Sequence, residues 1–191
     1  VLALRSLAIT TGRTVVPSFE VFTEYFSKFG MEYADDMIRL QMSAPVSELS
    51  DEQRRALVVT ALKYEVLVFA ALQKLYSAAE GCSAENNIRF ETAMQEWDVG
   101  AAMIVGSNQS PYSNGDLIYN LAVSMCPTFN TCDPETDNAK INQKIEEALF
   151  AGSYQLRFKQ CESVRNYAKA IEDYMKVPLI QATLYFTMKN E

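Results

Sequence analysis

Histidine is absent from all 191 residues of this chain, which removes the commonest general base and the commonest transition-metal ligand. A Ser-His-Asp triad, a Cys-His pair, an HExxH zinc helix, a His-ligated haem and a Glu-x-x-His di-iron site are all excluded. Gly-rich phosphate loops of the GxxxxGK[ST] or GxGxxG type are missing as well. With no nucleophile–base constellation left, no enzyme is predicted. Glycine and proline are sparse, at 7 and 6, and with 49% hydrophobic and 21% charged residues this excludes disordered, collagen-like and low-complexity classes. Basic residues are the minority: 17 Lys plus Arg against 24 Asp plus Glu give a net charge of -7. Such a field repels phosphate backbones, so nucleic acid is not an expected partner. Long apolar runs are few. The most apolar stretch, Val58 to Leu72, is interrupted by Lys63 and Glu65 and reads as too short and too charged for a transmembrane helix. The first residue is Val and no basic n-region precedes an apolar run, so the chain reads as a processed or truncated form without a targeting segment.

What is present fits one domain over residues 1–191. Four cysteines, Cys82, Cys126, Cys132 and Cys161, lack the two close pairs of a zinc site. Three disulfide pairings are possible. The short loop from Cys126 to Cys132 favours a bridge between those two, with Cys82–Cys161 as the second; the alternative is four buried free thiols. Asn108-Gln109-Ser110 is an N-glycosylation acceptor in a turn-like stretch and agrees with an oxidising, secreted route. The expected location is therefore extracellular, periplasmic or at the cell surface.

Apolar residues recur at three- and four-residue steps almost throughout, with no sustained alternation of the strand type. The predicted fold is all-α: a single-domain antiparallel bundle of about seven to eight helices, stapled by disulfides. Pro17 opens a first helix with an aromatic face of Phe19, Phe22, Phe26 and Phe29 that stops at Gly30, and Met31 to Met42 form a second. Ser50 and Gln53 read as a capping box for the longest helix, about 51 to 79, striped by Leu57, Ala61, Tyr64, Val68, Ala71 and Leu75. Ser83 is the expected cap of a helix that ends near Gly106, and a loop over 107–115 leads to a helix at Asp116–Met125. Asp133-Pro134 should start another helix that runs to Gly152. Two more are predicted, from Ser153 to Lys176 and from Pro178 onward.

Three carboxylates invite a functional reading. Glu65 lies among Val58, Leu62, Phe69 and Leu72, where an unpaired charge is costly, so a metal or an Arg must compensate it. Arg54, Arg157 and Arg165 are the candidate partners. Glu91 and Asp98 are seven residues apart on one helix and face the same side, either sharing a ligand or meeting water. The ten Tyr and ten Phe are read as packing rather than as a base-stacking platform.

The second half carries a further pattern. Trp97-Asp98-x-Gly100-Ala101-Ala102, Gly106-Ser107, Tyr119-x-Leu121-Ala122 and Cys126-x-x-Phe129-x-Thr131-Cys132, with the ending Pro178-Leu179-Ile180-Gln181-x-Thr183-Leu184-Tyr185, resembles the low-iron-inducible periplasmic proteins of algae. That group includes the phytotransferrin-like iron-starvation proteins. Asn142, Gly152 and Cys161 fall between in compatible order, so the resemblance spans 97–191. The chain departs from the pattern at Asn130, where Gly is expected, and at Ala182 to Phe186, where a basic residue is missing at position 185. The resemblance implies an extracellular or periplasmic algal protein of iron assimilation, with ferric iron and a carbonate-type anion as cofactors. Ferric iron is a hard cation suited to carboxylate and phenolate oxygens, and Glu65 and Asp98 are the expected metal ligands. The competing expectation is a structural glycoprotein subunit of an extracellular filament or coat, with self-association or a cell-surface partner and an N-linked glycan at Asn108.

Overall fold

The side chain of Ser50 accepts a hydrogen bond from the Gln53 backbone N–H, and the Gln53 side chain in turn accepts one from the Ser50 N–H. This reciprocal box starts the helix at Asp51 where the sequence places it. The computed structural model describes residues 50–85, 87–106 and 116–189, together with 28, 36, 38–40 and 42. The glycosylation acceptor at Asn108 and the loop over 107–115 lie outside these residues; of the helix predicted from Pro17 to Gly30 only Lys28 is described, and of that predicted from Met31 to Met42 only 36, 38–40 and 42, and all of these are helical. Among the described residues from 50 onward the elements are α1 (Asp51–Ala61), a π-helical turn (Leu62–Val66), α2 (Leu67–Gly81), α3 (Asn87–Val105), α4 (Ile118–Phe129), α5 (Lys140–Arg157) and α6 (Cys161–Lys189). The described fold is all-helical; one bridge, Cys132 to Ala139, is its only β feature.

The π turn adds a residue to the ladder and rotates the helix beyond it. The regular stripe of the sequence is buried from Ala61 onward, through Val68, Ala71 and Leu75, whereas Leu57 nearer the start of α1 is 46% exposed. Together α1, the π turn and α2 form one helix, Asp51–Gly81, which by length and composition can cross a membrane. That corrects the reading of this stretch as too short, although Leu72, Leu75 and Tyr76 in its second half belong to the core. The α2 and α3 helices run in opposite directions and approach closely at Gly100, where an added Cβ would sit 3.0 Å from the Ala71 carbonyl oxygen. A salt bridge of 2.8 Å between Lys74 and Glu96 closes the same face.

Both predicted disulfides are formed, Cys82–Cys161 between the end of α2 and the start of α6, and Cys126–Cys132 across the end of α4. Several predicted boundaries are displaced. Ser83 lies in a turn ahead of α3, which begins at Asn87. Asp133 does accept N–H bonds from Glu135 and Thr136, both at 3.0 Å, but the turn ends at Asp137, whose φ is 54°. The helix starts only at Lys140. Gly152 lies inside α5, which ends later at Phe158–Gln160. There the Lys159 N–H meets the Leu156 carbonyl and the Gln160 N–H meets the Gln155 carbonyl, both at 3.0 Å, with Lys159 at φ 54°. This is a Schellman cap with Lys in the left-handed position usually held by Gly, so no glycine marks it. Pro178 likewise starts no helix: α6 runs through it for 29 residues. The missing backbone bond costs about 3 kcal/mol, offset by core contacts of Met175 and Ala182 on either side.

Glu65 is half-buried, with its Oε1 out of contact with solvent, and a second carboxylate, Glu172, is buried more completely. It is 2% exposed and takes hydrogen bonds from the Tyr76 hydroxyl at 2.6 Å and from the Lys169 and Lys176 ammonium groups, each at 2.9 Å. Burial pushes its pKa up, but the three donors outweigh burial and hold it below the ordinary 4.5. A depressed folded value means that the stabilisation is present above the unfolded pKa and is lost as pH falls through the folded one. Glu172→Gln should therefore destabilise by about 2 kcal/mol at neutral pH. Urea unfolding over a pH series should show the gap between parent and variant closing on the acid side.

Candidate functional site

Trp97 is 1% exposed and fixes α3 against α5. Its indole lies over Gly152, and its Nε1 donates to the Leu149 carbonyl at 3.0 Å. Beside this contact the two helices diverge and leave a cleft of about 470 Å³ lined by Glu91, Met94, Gln95 and Asp98 from α3 and by Ser153, Leu156 and Arg157 from α5. The α3 residues recur at three- and four-residue steps and so share one face. Leu156 and Met94 floor the cleft, while the charged groups are at its exposed rim. At the far end the Lys159 ammonium lies 4.6 Å from the centre of the Phe90 ring, a cation–π contact that holds the chain turn after α5 against α3.

The structure thus brings Glu91 and Asp98 into one cleft, as their spacing implies, and adds Arg157 opposite them. Glu65 is elsewhere, half-buried in the π turn, and does not line the cleft. Of the three arginines considered for Glu65, Arg54 pairs with Asp51, Arg157 is at the cleft and Arg165 is exposed on α6. Next to Glu65, Lys63 pairs with Asp116. The neighbouring Tyr64 phenol has its pKa raised, chiefly by burial; Lys63 opposes that rise and Asp116 adds to it. Sequence reasoning missed Ser153 and the position of Arg157 as a cleft wall. Their i, i+4 spacing on α5 puts them on one face, but only the tertiary contact shows what that face meets.

Chemically the cleft offers two carboxylates, a Ser hydroxyl and a Gln amide to a cation, and a guanidinium to an anion. Among the described residues no group of three or more Cys, Asp or Glu side chains is gathered closely enough to hold a metal by itself. Fold and cleft together define a disulfide-stapled helical domain with a polar inter-helix cleft. Comparison with protein-family models, with curated proteins and with solved structures finds no match for the chain.

Proposed function

We propose that this chain is an extracellular or periplasmic ferric-binding protein of the algal iron-assimilation type, with the α3–α5 cleft as its site. The observation that supports this reading is that Glu91, Asp98 and Arg157 line one cleft: oxygen ligands for a hard cation share it with a group able to hold a carbonate-type anion. With only two carboxylates from the protein, the anion supplies further oxygens to the metal. Two disulfides are compatible with an oxidising compartment. The departure at Asn130 is one the backbone accepts, since its φ is 53° and Asn follows Gly in tolerance of that conformation. No catalytic step is assigned.

Titration of the metal-stripped protein with chelated ferric iron should be saturable and should need bicarbonate. Asp98→Asn and Glu91→Gln should each weaken it about tenfold or more. Glu65 is the separate candidate, and Glu65→Gln measures whether it contributes from outside the cleft. Because no Tyr is among the described residues that line the cleft, bound iron should show no phenolate-to-iron band in the visible; such a band would place the metal elsewhere. Absence of ferric binding with or without bicarbonate overturns the reading. The second reading, a structural glycoprotein subunit, is favoured by the exposed Ile180, Leu184, Phe186 and Met188 at the end of α6, an apolar surface suited to a neighbouring subunit.

A further inference from the structure

Along α5 a second line of side chains faces away from the core. Gln143, Glu147, Phe150, Tyr154, Arg157 and Phe158 are all exposed and recur mainly at four- and three-residue steps, the spacing of a coiled-coil seam. Its centre is aromatic: Phe150 is 79%, Tyr154 54% and Phe158 59% exposed. Helices of soluble proteins put this pattern inward, and here the inward face is already occupied by Ile145, Ala148, Leu149 and Leu156. The Tyr154 and Phe158 rings are in contact, with centroids 4.7 Å apart, so part of the seam is already ordered and loses little rotamer freedom on docking.

The charges on the seam specify its occupant. Glu147 precedes Phe150 by three residues and Arg157 follows Tyr154 by three. We infer that α5 pairs with α5 of a second copy of this chain in an antiparallel, two-fold arrangement, Phe150 against the partner subunit's Tyr154 and Glu147 against the partner subunit's Arg157. Under a two-fold axis near Gly152, residues 147 and 157 exchange places, as do 150 and 154, so both contacts form twice. A parallel pairing would set Glu147 against Glu147 and Arg157 against Arg157, two like-charge contacts at the ends of the seam. Arg157 is available for this role, because among the described residues it makes no ion pair. The three rings supply roughly 400 Å² per copy, about half the area of a standard interface. The dimer is therefore weak and depends on concentration. Arg157 also walls the cleft, so pairing sets the partner subunit's Glu147 at the rim of that cleft. The inference does not rest on iron binding.

The test is sedimentation equilibrium of the intact, disulfide-bonded protein over a wide concentration range, with helix content checked by circular dichroism. The parent should pass from monomer to dimer. Phe150→Ser should weaken dimerisation about a hundredfold, since the ring is lost twice per dimer. Glu147→Arg and Arg157→Glu should each weaken it about tenfold by turning both ion pairs into like-charge contacts. The double variant Glu147→Arg with Arg157→Glu should restore the parent's dimerisation. A misfolded single variant would not be rescued in this way. A parent that stays monomeric at every concentration overturns the proposal, and so does a dimer insensitive to Phe150→Ser or unrescued by the charge swap. Because Arg157 serves both proposals, the ferric titration is run on the parent at concentrations where it is monomeric, and there it succeeds or fails independently of dimerisation.

Discussion

Replacing Cys82 and Cys161 together by Ala should lower the thermal midpoint by roughly 9–18 °C, the largest loss expected of any disulfide change in this chain. The bridge joins residues 79 apart in sequence, and closing a loop of that length removes about 4.5 kcal/mol of unfolded-state entropy in the chain-entropy model. For a domain of this size, each kcal/mol corresponds to about 2–4 °C. The Cys126–Cys132 bridge spans only 6 residues, so its removal should cost about 2.4 kcal/mol, near half as much. Local bonds also help hold that loop in its absence: the Thr131 N–H donates to the Cys126 carbonyl at 2.9 Å and the Lys140 N–H to the Thr131 carbonyl at 3.0 Å. Calorimetry of the two double variants under one set of conditions measures the ratio. Equal shifts for both pairs would show that loop length is not the source of the stabilisation.

Gly152→Ala should destabilise the fold by about 3 kcal/mol, although the same change in an exposed helix stabilises it by about 1 kcal/mol through helix propensity. The sign therefore distinguishes packing from propensity. An added Cβ at Gly152 would collide with the indole of Trp97, and even the third-nearest indole atom is 3.1 Å away. Trp97 cannot give way cheaply, being fully buried and tied through Nε1 to the Leu149 carbonyl. Because Trp97 is the single tryptophan, displacement should appear as a red shift of its fluorescence alongside the loss of stability in urea. In a Trp97→Phe background the same substitution should cost less, because the smaller ring leaves room. A Gly152→Ala protein as stable as the parent, with unshifted emission, would exclude the close packing described here.

Local chemistry is enough for the all-helical class, the capping box at Ser50 and Gln53 and the stop at Gly106, each of which depends on residues near in sequence. The co-facing of Glu91 and Asp98 is legible for the same reason, since helical periodicity alone puts residues seven apart on one side. For the four cysteines the short Cys126–Cys132 loop favours one of three pairings, and the structure decides for it. Tertiary packing decides the rest. Glycine and proline have local meanings that packing overrides: Gly152 has the local character of a helix stop and instead admits the Trp97 indole, and Pro178 has that of a helix start and instead lies within α6. The true end of α5 bears Lys159 in the left-handed position, where no residue type announces it. Glu65 has the apolar neighbours of a buried charge and is half-buried, with its Oε1 enclosed. The more deeply buried Glu172 is not legible, because its partner Tyr76 is distant in sequence and reaches it from α2. Arg157 belongs to the cleft for a similar reason, since the meeting of α3 and α5 is set by one indole against one glycine. Which side chains converge is a property of how whole helices pack, and periodicity specifies a face without specifying what that face will touch.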